Sequence, residues 1–270
     1  RQRLLQPFGV AFLPQASLVL VFAAVLGPQG RTAMLATLRG LVRFIAAAAV
    51  ASATVGITGA VALVLLANAS PLTSFAALVP SHLSALLLIV PLALVPLPRR
   101  RRRGNQKLEL AIQAAITAVV TLLVFAPFQS EPIGPLLFPF FGWAAVRFRP
   151  IVATVELAVL GAVSSVLTAV GGGPFAATGG DLPSALLVQI YLLSIALTIQ
   201  FIVTVRSERA ELRAENERRA TMLRGGFVGS QVGSMFVLAQ PGASPRILEI
   251  NDPAAQLADD AWLMPLMLRF

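Results

Sequence analysis

The sequence has no cysteine. Its 270 residues therefore hold no disulfide, thiolate zinc site, iron–sulfur cluster or cysteine nucleophile. Histidine occurs once, as His82, and one histidine cannot supply the several ligands of a protein zinc site. Charge is scarce too, at 12% of residues, against about 25% in soluble domains. Nucleotide and hydrolase signatures are missing: there is no GxGxxG, P-loop, HExxH or GxSxG pattern. Gly171-Gly172-Gly173 meets Pro174 rather than a helix that could cradle phosphate, and Gly179-Gly180-Asp181 runs into Leu182-Pro183 and reads as a loop. No pair of carboxylates marks a catalytic pocket. No catalytic residue, metal or cofactor is assigned.

What the chain has in excess is apolar sequence, 57% of residues, with a mean hydropathy of +0.81. A helix rises about 1.5 Å per residue and the bilayer core is about 30 Å thick, so runs of about 20 apolar residues are candidate crossings. Such runs cover residues 8–27, 44–67, 75–97, 108–128, 151–170 and 182–205, the third of them broken by Pro80, Pro91 and Pro96. The stretch 133–148 is short and carries Pro135 and Pro139; counting it gives seven crossings.

The net charge of +9 sits at the ends of these runs rather than on one soluble face. It reads as topology, not as nucleic-acid binding. With residues 206–219 in the cytoplasm, Arg31, Arg39, Arg43, Arg99 to Arg103, Lys107, Arg147 and Arg149 all fall on that side. Only Arg1 and Arg3 fall outside. Without the crossing at 133–148 the Arg99 to Arg103 cluster would lie outside as well.

The chain is organised around residues 182–219. An uncharged run continues, without proline or glycine after Pro183, into a charged helix holding Arg206, Glu208, Leu212, Glu215 and Arg219. A membrane helix that becomes a soluble one can carry a mechanical signal. Glu215 and Arg219 have favourable helical spacing. Val205 and Leu212 are seven apart, but the next step lands on Arg219, so a homodimer through this helix is weakly marked. Gly225-Gly226 is expected to end the helix. Residues 235–239 and 246–250 then read as a hairpin around a Pro-Gly turn, and 251–257 as a capped helix start. One hairpin and a turn of helix cannot bury a core, so this tail reads as an incomplete domain.

Ionisable groups at membrane depth are functional candidates. Glu156 lies six residues past Pro150, about 9 Å along its helix. It either snorkels, stays protonated or pairs with Arg147 or Arg149, or it is a proton- or ligand-sensitive site. His82, just after Pro80, is a buried or interfacial hydrogen-bonded residue or a pH sensor. Gln113, Gln189 and Gln200 are expected to bond between helices, at about 1 kcal/mol or less each.

Three pieces carry a resemblance: Pro139-Phe140-Phe141-Gly142-Trp143-Ala144-Ala145-Val146-Arg147-Phe148; the G-x-G-P-F of Gly171, Gly173, Pro174 and Phe175; and Leu186-Leu187-Val188-Gln189-Ile190-Tyr191. They resemble the last crossings of the MASE family of type one, a membrane-associated sensor domain of bacterial signalling proteins. Residues 8–97 are similar in layout, with Ser81-His82 standing where the family usually has a Gly-Asp pair. The resemblance implies a sensory module of the bacterial inner membrane with its C-terminus in the cytoplasm. Glu156, His82, Gln189, Trp143 and Arg147 would lie near its responsive region. The family generally has more crossings, and this chain opens on Arg1, so N-terminal helices are expected to precede it.

Phe227, Val232-Gly233 and Ile247-Leu248-Glu249-Ile250-Asn251-Asp252-Pro253-Ala254 resemble the opening of a PAS domain, whereas residues 262–270 match it poorly. Proteins of this plan generally end in an output module for cyclic-di-GMP turnover, the favoured expectation, or in a histidine kinase.

The fold expected is thus an all-α polytopic membrane bundle of about seven crossings, with a cytoplasmic exit helix and a partial α+β PAS-like segment. Its divisions are a sensor domain (1–205), a signalling helix (206–224) and the tail (225–270). Its partners would be the bilayer, a second copy and an unknown small-molecule or physical stimulus. A transporter is the rival reading, with helix breaks at Pro91 or Pro139 as its sites, but no inverted repeat is visible. A membrane enzyme is the third.

Overall fold

A computed structural model describes residues 15–24, 35–94, 104–129, 131–176, 183–228, 230–238 and 246–259. Arg1, Arg3, Arg31, the Arg99 to Arg103 cluster, the Gly179-Gly180-Asp181 loop and residues 262–270 lie outside them. Helices follow the apolar runs: α1 (Gln15–Ala24), α2 (Leu38–Ala67), α3 (Pro71–Leu94), α4 (Gly104–Val124), α5 (Leu137–Arg147), α6 (Pro150–Ala169) and α7 (Ser184–Val228). A hairpin of β1 (Met235–Leu238) and β2 (Arg246–Ile250), then α8 (Asp252–Asp259), complete the order. Among the described residues five helices are long and apolar enough to cross a membrane: α2, α3, α4, α6 and α7.

Two expectations change, and a third element is short. The third run is not broken, because α3 runs through both Pro80 and Pro91. Prolines are tolerated inside membrane helices; just past Pro80, His82 Nδ1 donates to the Leu78 carbonyl at 2.8 Å. Gly225-Gly226 does not end α7, which reaches Val228. Neither glycine takes the positive φ of a helix C-cap. The stretch 133–148 forms a short 3-10 turn, Gly134–Leu136, leading into α5 of 11 residues. At about 1.5 Å per residue α5 spans about 16 Å, half of a bilayer core.

The chain divides into two compact units, Arg1–Glu208 and Arg209–Phe270. In the first, Phe44, Phe125, Phe141, Leu157, Leu192, Ile195 and Ile199 are fully buried. Small residues set the helix spacing. A methyl on Gly59 of α2 would fall 2.7 Å from Leu78 Cδ1 of α3, and one on Gly161 of α6 would fall 2.6 Å from Leu88 Cδ1. At the end of the bundle where α4 finishes, Gly171 and Gly173 have φ of +88° and +81°. That turn brings Gly173 N to the Ala126 carbonyl at 3.0 Å and packs Phe175 on Phe125 and Tyr191. Tyr191 Oη donates to the Gly134 carbonyl at 2.9 Å. The G-x-G-P-F piece is thus a tight turn clasping the ends of three helices.

In the second unit, Arg209 to Gly226 of α7 is exposed throughout. The hairpin is antiparallel, pairing Met235 with Ile250 and Leu238 with Arg246, with a bulge between Phe236 and Val237. Phe227 stacks on Phe236 at 4.7 Å. Asn251, 2% exposed, ties the unit together. Its Oδ1 accepts from Ser234 N at 2.8 Å and, as the cap of α8, from Ala254 N at 3.1 Å. Its Nδ2 donates to the carbonyls of Val232 at 2.8 Å and Phe227 at 3.1 Å. Asn251→Ala removes a cap, which costs about 0.5–2 kcal/mol, and leaves the buried Ala254 N–H and three part-buried backbone groups without this partner, at about 1–3 kcal/mol. Backbone amides of β1 are therefore expected to exchange with solvent about a hundredfold faster in the variant, as measured by hydrogen exchange.

Candidate functional site

Two sites emerge within the first unit. The first is at membrane depth. Gln113 of α4 is fully buried, and its Nε2 donates to Glu156 Oε2 of α6 at 3.0 Å, to Thr117 Oγ1 at 3.0 Å and to the Phe140 carbonyl of α5 at 3.3 Å. One amide thereby joins three helices. α4 buries a polar stripe, Gln113, Thr117 and Thr121, each four residues from the next. Its apolar face, with Leu108, Ile112, Val119, Leu122 and Leu123, is exposed, as suits a helix whose outer surface meets lipid rather than water. Beside the stripe lies a cavity of about 310 Å³ lined by Thr117, Thr121, Leu122, Phe141, Glu156 and Val159 among others. Glu156 Oε1 and Gln113 Oε1 are buried with no hydrogen-bond partner among the described residues.

Glu156 therefore takes a glutamine donor, and Arg147 is engaged elsewhere. Arg147 pairs in a fork with Glu109 of α4, Nε to Oε1 at 2.7 Å and Nη2 to Oε2 at 3.1 Å. Trp143, one turn back on α5, also interacts with Glu109. His82 and Gln189 belong to a different layer. His82 donates through Nδ1 to Leu78, so its Nε2 is the acceptor for Gln15 Nε2 at 3.2 Å. Gln189 Oε1 accepts from Ser84 Oγ, joining α7 to α3. Among the described residues, the hydrogen bonds of Glu156 share no residue with those of His82 and Gln189. Gln200 is buried with its Nε2 unpartnered among the described residues, so no interhelical bond is found for that group.

The second site is where α7 leaves the bundle. Arg206 Nη1 donates to two carbonyls at the end of α5, Ala145 at 2.9 Å and Phe148 at 2.6 Å. Two residues on, Glu208 Oε2 accepts from the backbone N–H of Leu38, the first residue of α2, at 3.2 Å. Helix C-termini carry partial negative charge and N-termini partial positive charge. A cation and an anion on one stretch of α7 thus each meet a helix end of opposite sign. The remaining residues singled out for transmission fall in the second unit: Leu212 is exposed, and Glu215 pairs with Arg219 along the helix.

Sequence reasoning missed three parts of these sites. Glu109 had no visible role, although it is one of few acidic residues near a helix start. Thr117 and Thr121 were passed over, although their spacing from Gln113 was a readable signal. Leu38, Ala145 and Phe148 act only through backbone groups, for which no side-chain signal exists.

A bundle of long apolar helices with buried polar groups between them and a polar exit helix defines a multi-pass membrane protein. The MASE1 family model matches residues 3–210, and the chain belongs to that family of membrane-associated sensor domains. No curated protein and no solved structure matches the chain.

Proposed function

We propose that the chain is the sensory input module of a bacterial inner-membrane signalling protein and that α7 carries its signal. The observation that carries this reading is the clasp formed by Arg206 and Glu208. It holds the exit helix to the ends of α5 and α2, so a shift of either helix changes what α7 is bound to. Coupling of this kind needs two packings that the stimulus favours differently; clasp closed and clasp open are such a pair.

In this reading seven crossings, counting α1 and the turn with α5, put the clasp and Arg147 on the cytoplasmic side with the C-terminus. The tail begins a PAS-like domain. Its hairpin and the Asn251-capped helix support that assignment. An output module follows, with cyclic-di-GMP turnover favoured over a histidine kinase. The exposed helix from Arg209 to Gly226 pairs with a second copy. The transporter reading loses ground to the continuity of α3 through Pro80 and Pro91, since transport sites use discontinuous helices.

Inserting Gly-Pro after Leu212 breaks α7 beyond the clasp without touching it. Stimulus-dependent output of the intact signalling protein is expected to vanish, while membrane insertion stays normal. Retained regulation in that variant would sink the reading.

A further inference from the structure

Where α7 leaves the bundle, two arginines meet over one carboxylate. Arg206 of α7 grips the carbonyls of Ala145 and Phe148, which flank Arg147 of α5 in the chain, and the charge of Arg147 is felt at Arg206. Glu109 pairs with Arg147, whereas no ion pair among the described residues includes Arg206. A guanidinium has five N–H donors in a fixed fork. Arg147 spends Nε and Nη2 on Glu109, and Arg206 spends Nη1 on α5. Nη1 of Arg147 and Nε and Nη2 of Arg206 have no partner among the described residues, and both arginines are exposed.

The surroundings say what kind of anion fits. Arg206 is the first charge after the apolar run 182–205, which sets both guanidiniums where hydrocarbon gives way to headgroups. Trp143 lies one turn back from Arg147 on the same face of α5, and an indole is usual at that level. Trp143, Val146 next to Arg147, and Leu108 next to Glu109 are all exposed, so apolar surface continues from the charges toward the lipid side. We propose that Arg147 and Arg206 together bind the phosphate of an anionic phospholipid, whose acyl chains lie along Val146 and Leu108. Guanidinium forks suit phosphate oxygens, and a zwitterionic headgroup would bring an ammonium that two arginines repel. The binding needs only the bilayer. Its consequence rests on the sensor reading: a phosphate on the spare donors of Arg206 leaves Nη1 on α5, so anionic lipid holds the clasp closed.

The test uses the whole chain in phosphatidylcholine vesicles, with Trp262→Phe so that Trp143 is its one tryptophan. Quenching of Trp143 fluorescence is compared for brominated phosphatidylglycerol and brominated phosphatidylcholine at the same low fraction. The anionic probe should be the better quencher by roughly threefold or more, since one basic residue near the headgroups raises the affinity for anionic lipid by about a factor of five. Arg147→Gln and Arg206→Gln should each reduce that preference, and Arg213→Gln, on the exposed helix beyond, should leave it unchanged. Equal quenching by the two lipids in the parent would overturn the proposal. So would an equal loss in Arg213→Gln, which would mean diffuse attraction rather than a site. Loss of the preference on adding glycerol phosphate would also overturn it, because a soluble phosphate would then be the ligand. The parent comparison can fail by itself, so a misfolded variant does not shield the proposal. No output is read, so a failed sensor reading leaves the result intact.

Discussion

Arg206→Glu is expected to release α7 from the end of α5 and drive the module to its clasp-open state. The guanidinium makes two bonds to carbonyls that have no further helix partner beyond α5. Charge-assisted bonds of this type contribute about 1.5–3 kcal/mol when well shielded. Arg206 is exposed, so solvent screening puts the effect near the lower end, about 1.5 kcal/mol. A carboxylate there also faces the negative end of a helix, at about 0.3–1 kcal/mol of repulsion. Together these move a two-state equilibrium by about 1.8–2.5 kcal/mol, a shift of at least tenfold. Site-directed spin labels measure it well, because the chain has no cysteine to confuse the labelling. With labels at Val146 of α5 and Phe201 of α7, both exposed, the distance distribution should move to a second population. Glu208→Gln keeps a hydrogen-bond acceptor for Leu38 N and should shift it less. An unchanged distribution in Arg206→Glu would remove the clasp from the account.

The largest loss of stability is expected from Gly173→Val. Gly173 has a φ of +81°, which for a β-branched residue costs about 1–3 kcal/mol. A Cβ there would lie 2.9 Å from Phe125 Cδ1 and 3.1 Å from Phe125 Cα. Phe125 is fully buried and cannot step aside, so overpacking adds about 1–3 kcal/mol. The midpoint of thermal unfolding in detergent should fall by roughly 10 °C, at about 2–4 °C per kcal/mol for a unit of this size. Gly142→Ala is the control: a methyl there meets nothing within 4 Å, and the midpoint should barely move. A Gly173→Val chain as stable as the parent would mean that the turn does not hold the helix ends.

These expectations depend on features that were unequally visible in the amino-acid order. The long apolar runs read directly as helices, because hydrocarbon thickness sets a length that few soluble helices share. Arg206 and Glu208 stood out as the first charges after such a run. Their partners did not, since Leu38 N, Ala145 O and Phe148 O are backbone groups brought close only by folding. Arg147 looked like a mate for Glu156 because both flank Pro150. The fold instead places α4 against α5, so that Glu109 takes it. Gln113 was expected between helices, and the stripe it forms with Thr117 and Thr121 was readable from their spacing of four residues but carries no charge to draw attention to it. Pro80 and Pro91 signalled a broken helix, yet α3 continues through both, as helices in a membrane can.

The central claim is that a change at the clasp travels along α7. The most direct measurement joins residues 1–228 to a diguanylate cyclase and compares product formation across a cycle of four chains: parent, Arg206→Glu, a Gly-Pro insertion after Leu212, and both changes together. Arg206→Glu is expected to change product formation at least threefold, and to cause no such change once the insertion is present. An equal response to Arg206→Glu with and without the insertion would contradict it, because the signal would then bypass the helix.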